Sequence, residues 1–179
     1  MTVPGWLLKE HQIDNSFHSD DELWSAINNL FNTRTKFRTS YKFCFLKSIL
    51  DNIYNVNERI ELSMIDIFSR FTEIYWNLIV KHHLNQIRPG TSTKSAIANL
   101  INEISVANHV CPEMPFERFT QIEKDRLILV IVKDCSKYVV GALCTDFRYI
   151  IYGFDKDKTK IQLLCLYIPG EICLYHWQA

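Results

Sequence analysis

The segment Lys81-His82-His83-Leu84-Asn85 sets two adjacent imidazoles close to a carboxamide. A one-metal nuclease activates water with such groups, one histidine taking the proton while the metal stabilises charge on the phosphate. That chemistry needs the general base on a β-ribbon and the metal ligands on a following helix. Here both histidines fall near the end of a long apolar helical pattern, where successive side chains diverge by about 100°. A helix C-terminus favours cationic side chains on electrostatic grounds alone, so no catalytic role is assigned to them. His109 and Cys111 form a lone H-x-C. A zinc site takes four ligands, usually with a closely spaced Cys pair, and the chain has no such pair. Asp155 and Asp157 in "DKDK" read as turn residues. No P-loop occurs in this chain of only 5 glycines. The expectation is no catalytic residue, no metal site and no cofactor.

Charge offers a different chemistry. "FNTRTKFRTSYKF" (Phe31 to Phe43) holds Arg34, Lys36, Arg38 and Lys42 and no acid, and the acid-free run from Leu23 to Leu50 adds Lys47. Thr33, Thr35, Thr39 and Ser40 alternate with these cations ahead of a helix start. Charged and hydroxyl donors beside a helix N-terminus are the usual contacts to phosphate oxygens. Phe37 and Tyr41 can pack inward or stack on a base. The competing reading is a solvated loop whose arginines pair with Asp20, Asp21 and Glu22 one helix earlier. The expectation is that Arg34, Lys36, Arg38, Lys42 and Lys47 contact nucleic-acid phosphates.

The elements that position these residues are mostly helical. Ser19 with Glu22 makes a capping box, Asp20 and Asp21 suit the positive helix end, and Leu23, Trp24, Ile27, Leu30 and Phe31 form the apolar face that follows. A second helix, capped by Thr39 or Ser40, runs through "YKFCFLKSILDNIYNV", with Phe43, Leu46, Leu50 and Ile53 on one side and Phe45 and Ile49 beside it. A third starts at Ser63 and runs to Pro89-Gly90, and "TSTKSAIANLINEIS" gives a fourth. Thr120 and Glu123 cap a segment from Gln121 to about Leu143, whose "LILVIVK" run fits a helix or a buried strand. "FRYIIYGFDKDKTKIQLLCLY" reads as strand, turn at Asp155 to Lys158, and strand. The fold class expected is mainly α: a single helical domain of about five helices, with residues 1–18 as an N-terminal extension, a C-terminal β-hairpin at 145–166 and an apolar tail at 167–179.

Composition bounds the function. A chain of 179 residues, 47% apolar and 22% charged, suits one ordinary domain with a substantial core. Equal numbers of cations and anions (20 each) remove the overall basic signature of many nucleic-acid binders, so any such binding must be local. No stretch approaches the roughly 20 apolar residues that span a bilayer, and the start lacks the layout of a secretion signal. The six dispersed cysteines (Cys44, Cys111, Cys135, Cys144, Cys165, Cys173) then read as reduced thiols and the compartment as cytoplasm.

"FHSDDELWSAINNLF", "RTSYKFCFLKSILDNIYNV", "IFSRFTEIYWNLIVK", "KSAI" and "CSKYVVGAL" together resemble the N-terminal region of bacterial HNH endonuclease domain proteins, over roughly Pro4 to Phe154. In that group a helical domain precedes a C-terminal metal-dependent HNH nuclease. The resemblance implies a non-catalytic module that helps a restriction- or defence-type nuclease bind or position DNA. Its motifs are aromatic and helical, the family's His, Asn, His set has no counterpart here, and "CLYIPGEICLYHWQA" departs from the family. No catalytic residue is carried over, and a truncated copy or isolated module is expected, with a separate nuclease half as one partner. The alternative is a protein–protein interaction or dimerisation module without nucleic acid, drawn from the apolar surplus at Phe45, Tyr75 and Trp76 and from the tail.

Overall fold

The computed structural model describes residues 19–31, 40–86, 96–107, 111, 113–154 and 159–164. Among these residues there are five α-helices and a three-stranded antiparallel sheet: α1 (Asp20–Leu30), α2 (Tyr41–Asp51), β1 (Glu61–Ser63), α3 (Met64–Trp76), α4 (Ala96–Ala107), α5 (Gln121–Asp146), β2 (Tyr152–Phe154) and β3 (Lys160–Leu163). The protein is mainly α, as its sequence pattern predicts.

The helix starts follow local chemistry. The Ser19 hydroxyl accepts from the Glu22 N–H at 3.3 Å while the Glu22 carboxylate accepts from the Ser19 N–H at 3.0 Å. Thr120 and Glu123 repeat the arrangement at α5, and the Ser63 hydroxyl caps α3 by accepting from the Ile65 N–H. Facing, in contrast, departs from the sequence pattern. α1 buries Ala26 and Leu30, while Trp24 and Phe31 are 62% and 57% exposed, so the core side lies along Ala26, Ile27 and Leu30. α2 buries Phe45 and Ile49 and leaves Leu50 exposed, which makes the Phe45–Ile49 line the core face. It ends at Asp51, short of Val56, and passes into a 3-10 turn at Ile53–Asn55.

α3 is the centre of the core. Met64, Ile67, Phe68, Phe71, Tyr75 and Trp76 are fully buried at three- and four-residue steps. Phe45 of α2 sits 5.5 Å from the Phe68 ring and 6.2 Å from Phe71, and Phe71 stacks on Tyr75 at 5.0 Å. Each such side chain contributes roughly 1.5–3 kcal/mol through burial. The helix does not reach Pro89. It widens into a π-helical turn at Asn77–Lys81, closed by the His82 N–H donating to the Asn77 carbonyl at 2.9 Å.

"LILVIVK" is helical. Leu127, Ile128, Ile131, Cys135 and Val139 are buried together, a 3.6-residue rather than a two-residue period. After α5 comes the hairpin, with β3 central in the order β1-β3-β2. The third strand, β1, was not expected: Leu62 pairs with Ile161 and Ser63 with Lys160, and Lys160 Nζ reaches the Glu61 carboxylate at 2.6 Å. The Tyr152 hydroxyl donates to the Val140 carbonyl at 2.7 Å, which ties the hairpin to α5. The Asp155–Lys158 turn, the residues 1–18 and the tail 167–179 lie outside the described residues.

Candidate nucleic-acid interface

The basic segment joins α1 to α2, and its five cations divide into two groups. Arg34, Lys36 and Arg38 lie outside the described residues. Lys42 and Lys47 lie on α2, and each meets a carboxylate of this chain. Lys42 Nζ donates to Asp146 near the end of α5, and the side chains are only 13% and 21% exposed. Lys47 Nζ donates to both oxygens of Asp51, one turn on, at 2.9 and 3.1 Å. Its side chain is 57% exposed.

Asp51 belongs to a larger network that sequence reading missed. Arg70 Nε donates to Asp51 at 2.6 Å and Arg70 Nη1 to Glu73 at 2.7 Å, in an open cleft of about 510 Å³ where Asn52, Asn55, Asp66 and Ser69 also line the wall. Burial alone would raise the Asp51 carboxyl, but hydrogen bonds from Lys47 and Arg70 outweigh it and hold the carboxyl below its ordinary value. Arg70 is held in its charged form by Glu73 and then Asp51. The intrahelical links (Lys47 to Asp51, Arg70 to Glu73) follow from helical spacing. The link from Asp51 to Arg70 joins two helices and had no sequence signal. Asp51, Asp66 and Glu73 line this cleft against Arg70 as its one lining cation, so its field is not that of a phosphate groove.

The start of α2 has a different character. Ser40 stands at its N-cap without a side-chain capping bond, and the first turn carries no acidic residue. The Ser40 hydroxyl points instead to the Tyr75 hydroxyl, 3.0 Å away, and to Gln86. The first turn that follows the basic segment thus holds no acid of its own, and the one carboxylate described against it, Asp146 of α5, is taken up by Lys42. At α1, the Glu22 carboxylate is engaged by Ser19, and Asp21 and Glu22 share a small cleft with Arg148.

The other candidates separate in space. His82 closes the π-helical turn and His83 follows in left-handed backbone (φ 51°), so neither lies within the helix proper. Both are exposed, and His83 Nε2 stands 3.9 Å from Glu113. Cys111 is exposed, while His109, Asp155 and Asp157 lie outside the described residues. Among the described residues no group of three His, Cys, Asp or Glu side chains is placed to hold a metal ion. No helix among them is long and apolar enough to cross a membrane.

The buried thiols are poor nucleophiles. Burial pushes Cys44 up to about 11, and both Cys135 and Cys144 up to about 12, so each is protonated at neutral pH. A folded-state value above the unfolded one contributes stability that is whole below the unfolded pKa, about 8.5, and is lost as pH rises towards the folded value. Denaturant titrations should therefore show stability falling between pH 9 and 11. The fall should be shallower in Cys135→Ala/Cys144→Ala, and an unchanged slope would contradict the assignment.

Phe45, Tyr75 and Trp76, expected to supply an interaction surface, are fully buried. Their apolar surplus is core, so an interaction surface has to be sought elsewhere. Comparison of the chain with family models, curated proteins and solved structures finds no match.

Proposed function

We propose that this chain is a non-catalytic helical module that contacts nucleic-acid phosphates where its basic segment enters α2. The observation that supports the reading is the start of α2, where Ser40 makes no capping bond and the first turn carries no acid, directly after Arg34, Lys36 and Arg38. Those three residues carry the proposal. Lys42 is compensated by Asp146 and Lys47 by Asp51, so both add less to the outward field than their sequence positions imply. A role beside an HNH-type nuclease, with DNA as the nucleic acid, is the form that the resemblance of the helical motifs favours. Action in the cytoplasm is proposed on the free, buried Cys44, Cys135 and Cys144. A second reading, a protein–protein interaction module, draws on exposed apolar residues of α5 such as Ile122 and Leu129.

Fluorescence anisotropy with a labelled DNA duplex, titrated over a range of salt, tests the first reading. Wild type should bind with an affinity that falls steeply as salt rises. Arg34→Ala/Lys36→Ala/Arg38→Ala should weaken binding alike for all sequences and flatten the salt slope by roughly one unit per lost phosphate contact. Thermal stability should change by little. A wild type without salt-sensitive binding, or a triple variant that binds equally well, would reduce the segment to a solvated loop.

A further inference from the structure

Helix α5 shows solvent a line of residues that is complementary to itself. Ile122 (66% exposed), Leu129 (59%), Val130 (40%) and Tyr138 (47%) are apolar and open to water. Glu123, Arg126, Lys133, Asp134 and Lys137 are exposed among them. Counted outward from Val130, the residues four positions away on either side are Arg126 and Asp134, of opposite charge. Those seven positions away are Glu123 and Lys137, again of opposite charge, and eight positions away stand Ile122 and Tyr138, both apolar. Steps of four and seven residues return to nearly the same side of a helix. Arg126, Asp134, Glu123 and Lys137 thus share the face of Val130, while Ile122 and Tyr138 stand about 80° to either side of it.

We propose that this face of α5 is a self-association surface, on which a second copy of the chain lies antiparallel across Val130. A two-fold axis there sets Val130 against its own copy, Arg126 against Asp134 of the second copy, and Glu123 against its Lys137. Ile122 and Tyr138 stand at its two ends, on opposite flanks of the line. A two-fold contact requires a patch that matches itself, which is the pattern seen. A uniformly acidic or basic partner fits less well, because either would meet like charges on a line where both signs interleave. None of Arg126, Lys133, Asp134 and Lys137 is in an ion pair among the described residues, so partners on a second copy would displace none. Lys137 Nζ lies 5.0 Å over the Tyr138 ring, which keeps its stem along the face. Lys133, three positions from Val130, is exposed about 60° to one side of it. The line from Ile122 to Tyr138 is about 24 Å long at 1.5 Å per residue. A helix pair of that length buries less than the ~800 Å² per partner of a standard interface, so the dimer should dissociate on dilution.

Sedimentation equilibrium of the full chain across the micromolar range tests this. Wild type should pass from monomer to dimer. Val130→Glu and Arg126→Glu should each raise the dissociation constant about tenfold or more, with the circular dichroism of wild type. Arg126→Glu/Asp134→Arg, which exchanges the two charges, should restore association; this pair is chosen because Glu123 also closes the Thr120 cap. Three results would overturn the proposal. Wild type could remain monomeric throughout, or the exchanged pair could fail to recover. The third is Val130→Glu lowering the melting temperature as a core substitution does, which would mean that the chain's own residues cover the face.

Discussion

Trp76→Ala is expected to destabilise the protein by about 3–5 kcal/mol, among the largest effects of a single truncation in the core. Trp76 is fully buried at the end of α3. Its ring meets Phe119 edge-on at 4.7 Å and Phe116 at 6.4 Å. Its Nε1–H donates to the Met114 carbonyl at 2.8 Å. One side chain thus holds the 113–119 segment, which leads into α5, against α3. Alanine would leave a cavity and strip the Met114 carbonyl of its donor. Trp76→Phe separates the two contributions: it keeps most of the apolar area and loses the hydrogen bond, at about 1 kcal/mol. Urea titrations monitored by far-UV circular dichroism would measure both. A cost under about 1 kcal/mol for Trp76→Ala would mean that Trp76 is not packed against Phe116 and Phe119, since a cavity in a close-packed core costs more than that.

Lys42→Met should cost about 2 kcal/mol, whereas Lys47→Met should cost about 0.5 kcal/mol or less. The difference follows from burial. Lys42 and Asp146 are mostly withdrawn from water, so removing the ammonium leaves a carboxylate poorly hydrated and unpaired. The carboxylate also stands in the last turn of α5, which holds no basic residue and where the helix dipole disfavours negative charge. Asp146 further raises the Tyr41 hydroxyl, after burial as the main cause. The pair to Asp51 is exposed, and Arg70 still serves that carboxylate when Lys47 is gone. A double-mutant cycle with Asp146→Asn should give a coupling energy above 1 kcal/mol. Coupling near zero would remove the structural role of Lys42 and return it to the group of cations open to phosphate. The cycle matters for the functional reading, because a Lys42 variant that loses DNA binding through partial unfolding would imitate a lost phosphate contact.

How far the candidate interface could be read in advance differs residue by residue. The acid-free run around Arg34, Lys36 and Arg38 is plain in the sequence, and so is the helix that follows. The inward commitment of Lys42 is not, because Asp146 lies 104 residues away and no local pattern links them. The Asp51–Arg70 contact fails to appear for the same reason, across 19 residues and two helices. On α5, the exposed Leu129 and Val130 sit inside a run that reads as uniformly apolar. Only placing the helix against its neighbours tells which of these side chains face water.

The sequence by itself determined what depends on interactions within a few residues. The caps at Ser19, Ser63 and Thr120 are bonds across two or three residues, and they start their helices where the pattern of hydroxyl and carboxylate says. The apolar steps through Met64 to Trp76 select a helix because one turn brings those side chains to one side. Tertiary structure decided what depends on competition for the same core. It chose the Phe45–Ile49 line of α2 over Leu50, and Ala26 with Leu30 over Trp24, because neighbouring helices offer room for one stripe and not for both. It also made a strand of Glu61–Ser63. Three residues have no strand propensity that a pattern could reveal, and they take the extended form because β3, about a hundred residues on, supplies the hydrogen bonds.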